Sequence, residues 1–202
     1  MKKTCNLALM ALLVIAATIA GCKKEDDSTN NNNNPPQANP LCDGVSGSTA
    51  WLPLKLGNQW KYTGTGIVKT VQAMDTFSGV VYYRIYNQEG SANSWTRWYR
   101  VAGNGDVMYR DSNGNEYLYL PTNPSLNQQW PYPAGFFGTG SRVVESLTDS
   151  VKTSLCTYYN CMKIQEYNSS GSKETKFYYK RGVGKIRQNS FSNYDLKEVT
   201  FK

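Results

Sequence analysis

From Trp51 onward, apolar and polar residues alternate two by two in short runs, and no stretch of ten or more carries apolar positions at helical spacing. The runs are Ile67 to Met74, Val80 to Tyr86, Ser94 to Val101, Val107 to Arg110, Glu116 to Leu120, Arg142 to Leu147, Cys161 to Tyr167, Thr175 to Lys180 and Leu196 to Phe201. A period of two sends successive side chains to opposite faces of an extended chain, so each run predicts a strand with one face buried. Asn104-Gly105 and Asn113-Gly114 accept positive φ at both turn centres, which makes Ser94 to Leu120 an expected meander of three antiparallel strands. Ser169-Ser170-Gly171 is expected to close another hairpin, between Cys161 to Tyr167 and Thr175 to Lys180. The alternation by itself predicts an all-β, antiparallel fold of about 9–11 strands with little helix.

Two short motifs match each other: Leu56-Gly57-Asn58-Gln59-Trp60 and Leu126-Asn127-Gln128-Gln129-Trp130, each behind a proline segment. They suggest two similar turns that each feed a Trp into the core, whether by duplication or by coincidence. The second motif lies within Pro121 to Gly140, a Pro- and Gly-rich segment that also carries Phe136 and Phe137. A loop of that length is unusual inside a compact domain. It is the candidate cover for the concave face of a half-barrel, either as a permanent plug or as a mobile lid.

The N-terminus carries an address. Lys2 and Lys3 precede an uninterrupted small and apolar run from Leu7 to Ala20, the length of a secretory h-region and shorter than the roughly 20 residues of a membrane span. Ile19-Ala20-Gly21-Cys22 resembles the lipobox of bacterial lipoproteins, in which the cysteine thiol receives diacylglycerol and becomes the first mature residue. Acyl chains contribute roughly 0.8 kcal/mol per buried CH₂, so a lipidated Cys22 suffices as an anchor. The following Lys23-Lys24-Glu25-Asp26-Asp27 resembles the surface-export signal of Bacteroidetes-type lipoproteins. Ser28 to Pro40, STNNNNNPPQANP, has nothing to bury and reads as a disordered tether. The expected organisation is a signal peptide over 1–21, a lipidated N-terminus and tether over 22–40, and one β-rich domain over 41–202. The expected location is the outer membrane, lipid-anchored at the cell surface, with a periplasm-facing position as the alternative.

Charge and composition narrow the chemistry. The net charge is +7, and Lys2 and Lys3 leave with the signal, so the mature chain carries +5, spread as single Lys and Arg along the predicted strands. Without a basic helix or dense run, nucleic acid is not an expected partner. The chain has no His, which removes Ser-His-Asp and Cys-His nucleophilic sites and His-containing zinc sites together. Its 15 acids are scattered, with no pair pointing to glycoside hydrolysis. Asp111 to Glu116 alternates oxygen ligands as a calcium loop does, but Glu116 stands where an EF-hand needs Gly and no helices flank it. An enzyme is not expected, nor a metal or other cofactor. The 15 Tyr and 5 Trp among 17 Gly fit a β-protein with many turns.

Three segments carry a family resemblance: Pro53-Leu-Lys-Leu-Gly57-Asn58-Gln-Trp60-Lys-Tyr62, Thr157-Tyr158-Tyr159-Asn160-Cys161-Met162-Lys163-Ile164, and Tyr178-Tyr179-Lys-Arg-Gly182-Val183-Gly184-Lys185-Ile186. In this order they resemble a Bacteroidetes-type lipoprotein domain of unknown function, TapB-like and distantly similar to the half-barrel carriers LolA and LolB. The resemblance implies a curved antiparallel sheet or half-barrel around an apolar cavity, and its motifs bring no catalytic residue. Cys156 departs from it, standing where the group has a small residue. Physically the shared positions read as structural: Gly57-Asn58 as a turn before a core Trp, and Gly182 and Gly184 as a bend between strands.

Cys5 leaves with the signal and Cys22 takes lipid, so Cys42, Cys156 and Cys161 remain and at most one internal disulfide can form. Cys156 and Cys161 are about 16 Å apart if extended, against the roughly 4.4–6.8 Å a disulfide allows, so they can pair only across a turn. A loop of Thr157 to Asn160 would place them face to face, and this pairing is expected over one with Cys42.

Two binding roles follow. The first is a non-enzymatic envelope module whose sheet holds an apolar ligand such as a lipid chain. The second is a glycan-contacting surface protein in which rings such as Trp95, Trp98, Tyr99 and Tyr132 stack on sugars; Trp95 and Trp98 fall on opposite faces of one strand. Candidate contact residues are Trp95, Trp98, Trp130, Phe136 and Phe137. The expected partners are the membrane, through the anchor, and a lipid or polysaccharide ligand.

Overall fold

A computed structural model of the chain describes residues 42, 48–64, 66–133, 139–190 and 193–202. The signal, Cys22, the acidic cluster and the tether, together with Phe136 and Phe137, lie outside the described residues.

Twelve strands form one antiparallel sheet: β1 Gln59–Tyr62, β2 Ile67–Phe77, β3 Val80–Glu89, β4 Asn93–Val101, β5 Val107–Arg110, β6 Glu116–Leu120, β7 Gln129–Pro133, β8 Thr139–Lys152, β9 Thr157–Tyr167, β10 Lys173–Lys180, β11 Gly184–Asn189 and β12 Tyr194–Thr200. The spatial order β6-β5-β4-β3-β2-β1-β12-β11-β10-β9-β8-β7 is sequence order closed on itself through the β1–β12 pair. The sheet is thus an up-and-down barrel that is nearly closed, with β6 beside β7 but no ladder between them. Pro131 and Pro133 in β7 lack donors two residues apart, on one edge of the strand, which suits an edge strand and leaves that seam unzipped. The opposite wall covers the concave face, so no separate cover is needed.

All nine alternating runs are strands. The pattern missed β1, β7 and β11: β7 is interrupted by Pro131 and Pro133, and β11 opens on three consecutive buried residues, Gly184 to Ile186. Pro121 to Gly140 is not one long loop, because β7 runs through it and buries Trp130. The meander and its turns stand as expected except in backbone detail. Positive φ falls on Gly105 and Gly114 and not on the preceding Asn. In each turn the Gly N–H donates back three residues, to Ala102 or Asp111, and the next residue's carbonyl closes the loop, a three-residue hairpin with a bulge. The turn at Asn168 to Ser172 is built the same way.

The matching motifs mark a repeat of six strands. The Gly57 N–H donates to the Val71 carbonyl and Val71 donates to Asn58; Asn127 donates to Val144 and Val144 donates to Gln128. Gly57 and Asn127 both have positive φ, 85° and 63°. Both halves then place a Trp opposite a cation: Trp60 pairs Lys69, and Trp130 pairs Arg142. Farther along the wall, Val71, Ile85 and Arg97 form one row, and Val144, Ile164 and Phe177 its counterpart.

One end of the barrel is plugged by the segment leading into β1. Trp51 and Leu52 are buried, the Trp51 indole N–H donates to the Thr122 carbonyl, and the Arg181 guanidinium lies 4.1 Å over the Trp51 ring. Cys42 is joined to Cys156 at this end, with their Cα atoms 5.7 Å apart. The expected Cys156–Cys161 pair does not form. The turn comes before Cys156, where the Thr153 hydroxyl accepts from the Leu155 and Cys156 amides, and β9 then carries Cys161 away in extended chain. Cys161 is a buried free thiol, and burial pushes its pKa up to about 11.

Candidate ligand-binding cavity

Inward positions of the strands form layers along the barrel. Next to the plug lie Trp60, Val71, Leu120, Val144, Val183 and Leu196, all buried. Gly184 permits this packing, since a Cβ there would meet the Trp60 Nε1 at 3.0 Å, and that indole N–H donates to the Val183 carbonyl at 2.6 Å. A layer of phenols follows. The Tyr62 hydroxyl donates to the Lys185 carbonyl at 2.9 Å, and the Tyr119 and Tyr179 hydroxyls share a hydrogen bond of 2.9 Å. Burial raises the pKa of Tyr62, Tyr99 and Tyr119 well above that of a free phenol, so this layer is neutral at physiological pH.

Beyond the phenols the described residues leave the barrel interior unfilled. A cavity of about 820 Å³ is walled by Trp95, Tyr109, Tyr132, Phe177 and Tyr194, with Lys69, Arg97, Arg142 and Lys185 among its lining, and Glu89, Asp111, Ser112 and Asn113 at its mouth. A smaller void beneath it also touches Lys69 and Lys185, which places these two lysines at the floor. Each cation sits at an inward position of an alternating strand: Ile67-x-Lys69-x-Val71 in β2, Trp95-x-Arg97-x-Tyr99 in β4, Arg142-x-Val144 in β8.

The cations differ in how they are satisfied. Arg142 is buried, donates to Glu166 at 2.9 Å and to the Tyr119 carbonyl at 3.3 Å, and stacks on Tyr132 at 3.4 Å and Phe177 at 4.9 Å. Lys185 donates to Gln188 Oε1 at 2.6 Å and to the Tyr194 hydroxyl at 3.0 Å, and has no carboxylate partner among the described residues. Lys69 faces the Tyr62 ring at 5.7 Å, with Arg97 and Lys185 as its charged neighbours. It is enclosed by the wall while keeping some contact with the cavity space, and burial, then Arg97, brings its pKa down to about 7. Lys185 is lowered too, by burial first and then by Lys69 and Arg97.

This predicts a pH dependence. Between about 7 and the ordinary lysine value of roughly 10.4, the unfolded chain holds a proton on Lys69 that the folded chain does not, so unfolding takes up a proton and is favoured as pH falls. The ligand-free protein should therefore gain stability from pH 7 towards 10, by roughly 5–10 °C in Tm at about 2–4 °C per kcal/mol, until unfolded tyrosines begin to ionise. Lys69→Met should flatten the slope, as followed by thermal melts at fixed ionic strength. An unchanged slope would mean that Lys69 is not held as described.

The residues proposed from sequence are scattered by the fold. Trp95 lines the cavity. Trp98 is on the outer wall, where its indole donates to Asp75 at 2.7 Å and its ring meets Phe77 edge-on at 5.8 Å. Trp130 is buried at 4 % exposure, below the cavity. Tyr99 and Tyr132, expected as exposed rings, are buried. Their strands turn them inward, opposite Tyr109 and beside Arg142. Sequence reasoning missed the four cations; for Lys69, Arg97 and Arg142 the signal was a large apolar neighbour two residues away within one alternating run, and Lys185, in β11, had no such run.

No protein-family model matches the chain, and no curated protein matches it. Two solved structures are similar. One is a candidate exported protein with a YmcC-like fold from Bacteroides fragilis NCTC 9343, 11% identical, covering 74% of this chain and 98% of that one at a TM-score of 0.44. The other is a candidate lipoprotein from Parabacteroides distasonis ATCC 8503, 14% identical, covering 76% and 99% at a TM-score of 0.44. Likeness at this level carries no statement about what this barrel binds.

Proposed function

We propose that the protein is a lipid-anchored envelope lipoprotein, displayed from the outer membrane, whose barrel holds a small ligand without transforming it. The observation that carries the binding role is the cavity: about 820 Å³, plugged at one end and, among the described residues, open at the other, within the roughly 300–1,000 Å³ range of small-molecule sites. Its aromatic walls suit an apolar or ring-bearing body. A non-catalytic role is supported by the absence of His from the chain and by the raised pKa of Cys161, which keeps that thiol protonated and buried. A sugar-stacking role has less support, because Tyr99 and Tyr132 are inside the barrel and the Trp98 ring is engaged by Asp75 and Phe77.

Anchoring rests on the sequence from Lys2 to Cys22. Cys22→Ala is expected to move the protein from the membrane pellet to the soluble fraction; a variant that still pellets and resists alkaline extraction contradicts the anchor. The same soluble variant tests the binding role. After incubation with an envelope extract, native mass spectrometry should show a one-to-one adduct of a few hundred daltons, and bare polypeptide throughout would overturn the reading.

A further inference from the structure

We infer that the ligand bears an anionic group, a carboxylate, sulfonate or phosphate, seated on Lys69, Arg97 and Lys185 at the cavity floor, with an aromatic or apolar body against Trp95, Tyr109 and Phe177. This rests on the ligand-binding reading above and names the chemistry of that same site.

Burying a cation is costly unless it is paired, and an unpaired amine gives up its proton while a guanidinium keeps its charge. Of the three acids around the cavity, Glu166 is taken by Arg142, and Asp111 accepts from the Asn115 amide at 2.8 Å and its side chain at 3.0 Å within its own turn. That leaves Glu89, at the end of β3, against the Arg97 guanidinium and two lysines that burial drives towards the neutral amine. Among the described residues, none of Lys69, Arg97 and Lys185 has a carboxylate within 4.0 Å.

Placement adds direction. The three groups come from β2, β4 and β11, and burial first, then repulsion by Arg97 on Lys69 and by Lys69 and Arg97 on Lys185, lowers both lysine pKa values. An anion at the floor converts that repulsion into attraction. Lys185 donates to Gln188 and Tyr194 and lies in hydrogen-bond contact with Lys69, so an anion that restores the protons of this pair gains a donor from it. Arg142, already saturated by Glu166 and the rings, positions the wall and is not part of the seat. With the charge at the floor, the body of the ligand lies between Trp95, Tyr109 and Phe177 and points to the mouth.

The test uses two probes with the same rings, anilinonaphthalene sulfonate and uncharged phenylnaphthylamine, titrated by fluorescence into the soluble Cys22→Ala chain. The sulfonate is expected to bind one-to-one and about tenfold more tightly than the amine, as one or two charge-assisted hydrogen bonds provide. Lys69→Met and Lys185→Met should each weaken the sulfonate about tenfold and leave the amine unchanged, while Trp98→Ala on the outer wall should change neither. Equal binding of both probes, or loss of sulfonate binding in Trp98→Ala, overturns the anionic seat while the barrel's binding role stands. If neither probe binds, both readings fall. The comparison of the two probes on the unsubstituted barrel decides the matter even where a Lys→Met variant does not fold.

Discussion

Trp60→Ala is expected to destabilise the domain by about 3–5 kcal/mol, the usual cost of emptying a large aromatic from a core. Trp60 is 1% exposed, and its N–H is the donor that the buried Val183 carbonyl accepts. The repeat provides an internal control. Trp130 is the counterpart of Trp60, but its indole N–H has no partner among the described residues. Trp60→Phe should therefore cost about 1–3 kcal/mol through the orphaned carbonyl, whereas Trp130→Phe, which removes an unsatisfied donor, should be close to neutral. Urea melts of the three variants check this. Equal costs for the two Phe substitutions would show that the two Trp environments are alike.

Reducing the Cys42–Cys156 bond is expected to lower stability by about 3–5 kcal/mol. The bond spans 114 residues, and in the chain-entropy account a crosslink over a loop of about 100 residues contributes roughly 4.7 kcal/mol. At about 2–4 °C per kcal/mol for a domain of this size, Tm should fall by roughly 10 °C with reductant. The same loss is expected in Cys156→Ser, and peptide mapping without reduction should recover Cys42 linked to Cys156. A Tm indifferent to reductant, or a Cys156–Cys161 peptide, contradicts the assignment. Because the bond fastens the segment that carries Trp51 and Leu52 into the barrel end, its loss should loosen the plug before the wall.

The wall was legible in the sequence because period-two alternation is a local property, and every long run became a strand. Closure was not, since it depends on β1 meeting β12 across the whole chain and on two strands of four and five residues. The half-barrel expectation came from the family resemblance, and nothing in the local pattern pointed beyond it to closure. The disulfide was misassigned for a related reason: Cys156 and Cys161 are near in sequence, and nothing local revealed that Thr153 makes the turn before Cys156. The cavity's character was hidden differently. Lys69, Arg97 and Lys185 looked like ordinary surface charges, and only the parity of their neighbours, Ile67 and Val71 or Trp95 and Tyr99, places the first two inside. The repeat of Leu-x-x-Gln-Trp, by contrast, was visible from the start, and the matching hydrogen bonds at Val71 and Val144 give it a structural meaning.

The central claim is that this barrel keeps a ligand space open at one end, with cations at its floor. A crystal structure of the soluble Cys22→Ala chain with anilinonaphthalene sulfonate tests it most directly. The account predicts the dye inside the barrel, its rings between Trp95, Tyr109 and Phe177 and its sulfonate within hydrogen-bond reach of Lys69 or Lys185. A dye bound on the outer wall near Phe77 and Trp98, with the barrel interior filled by its own side chains, would contradict it.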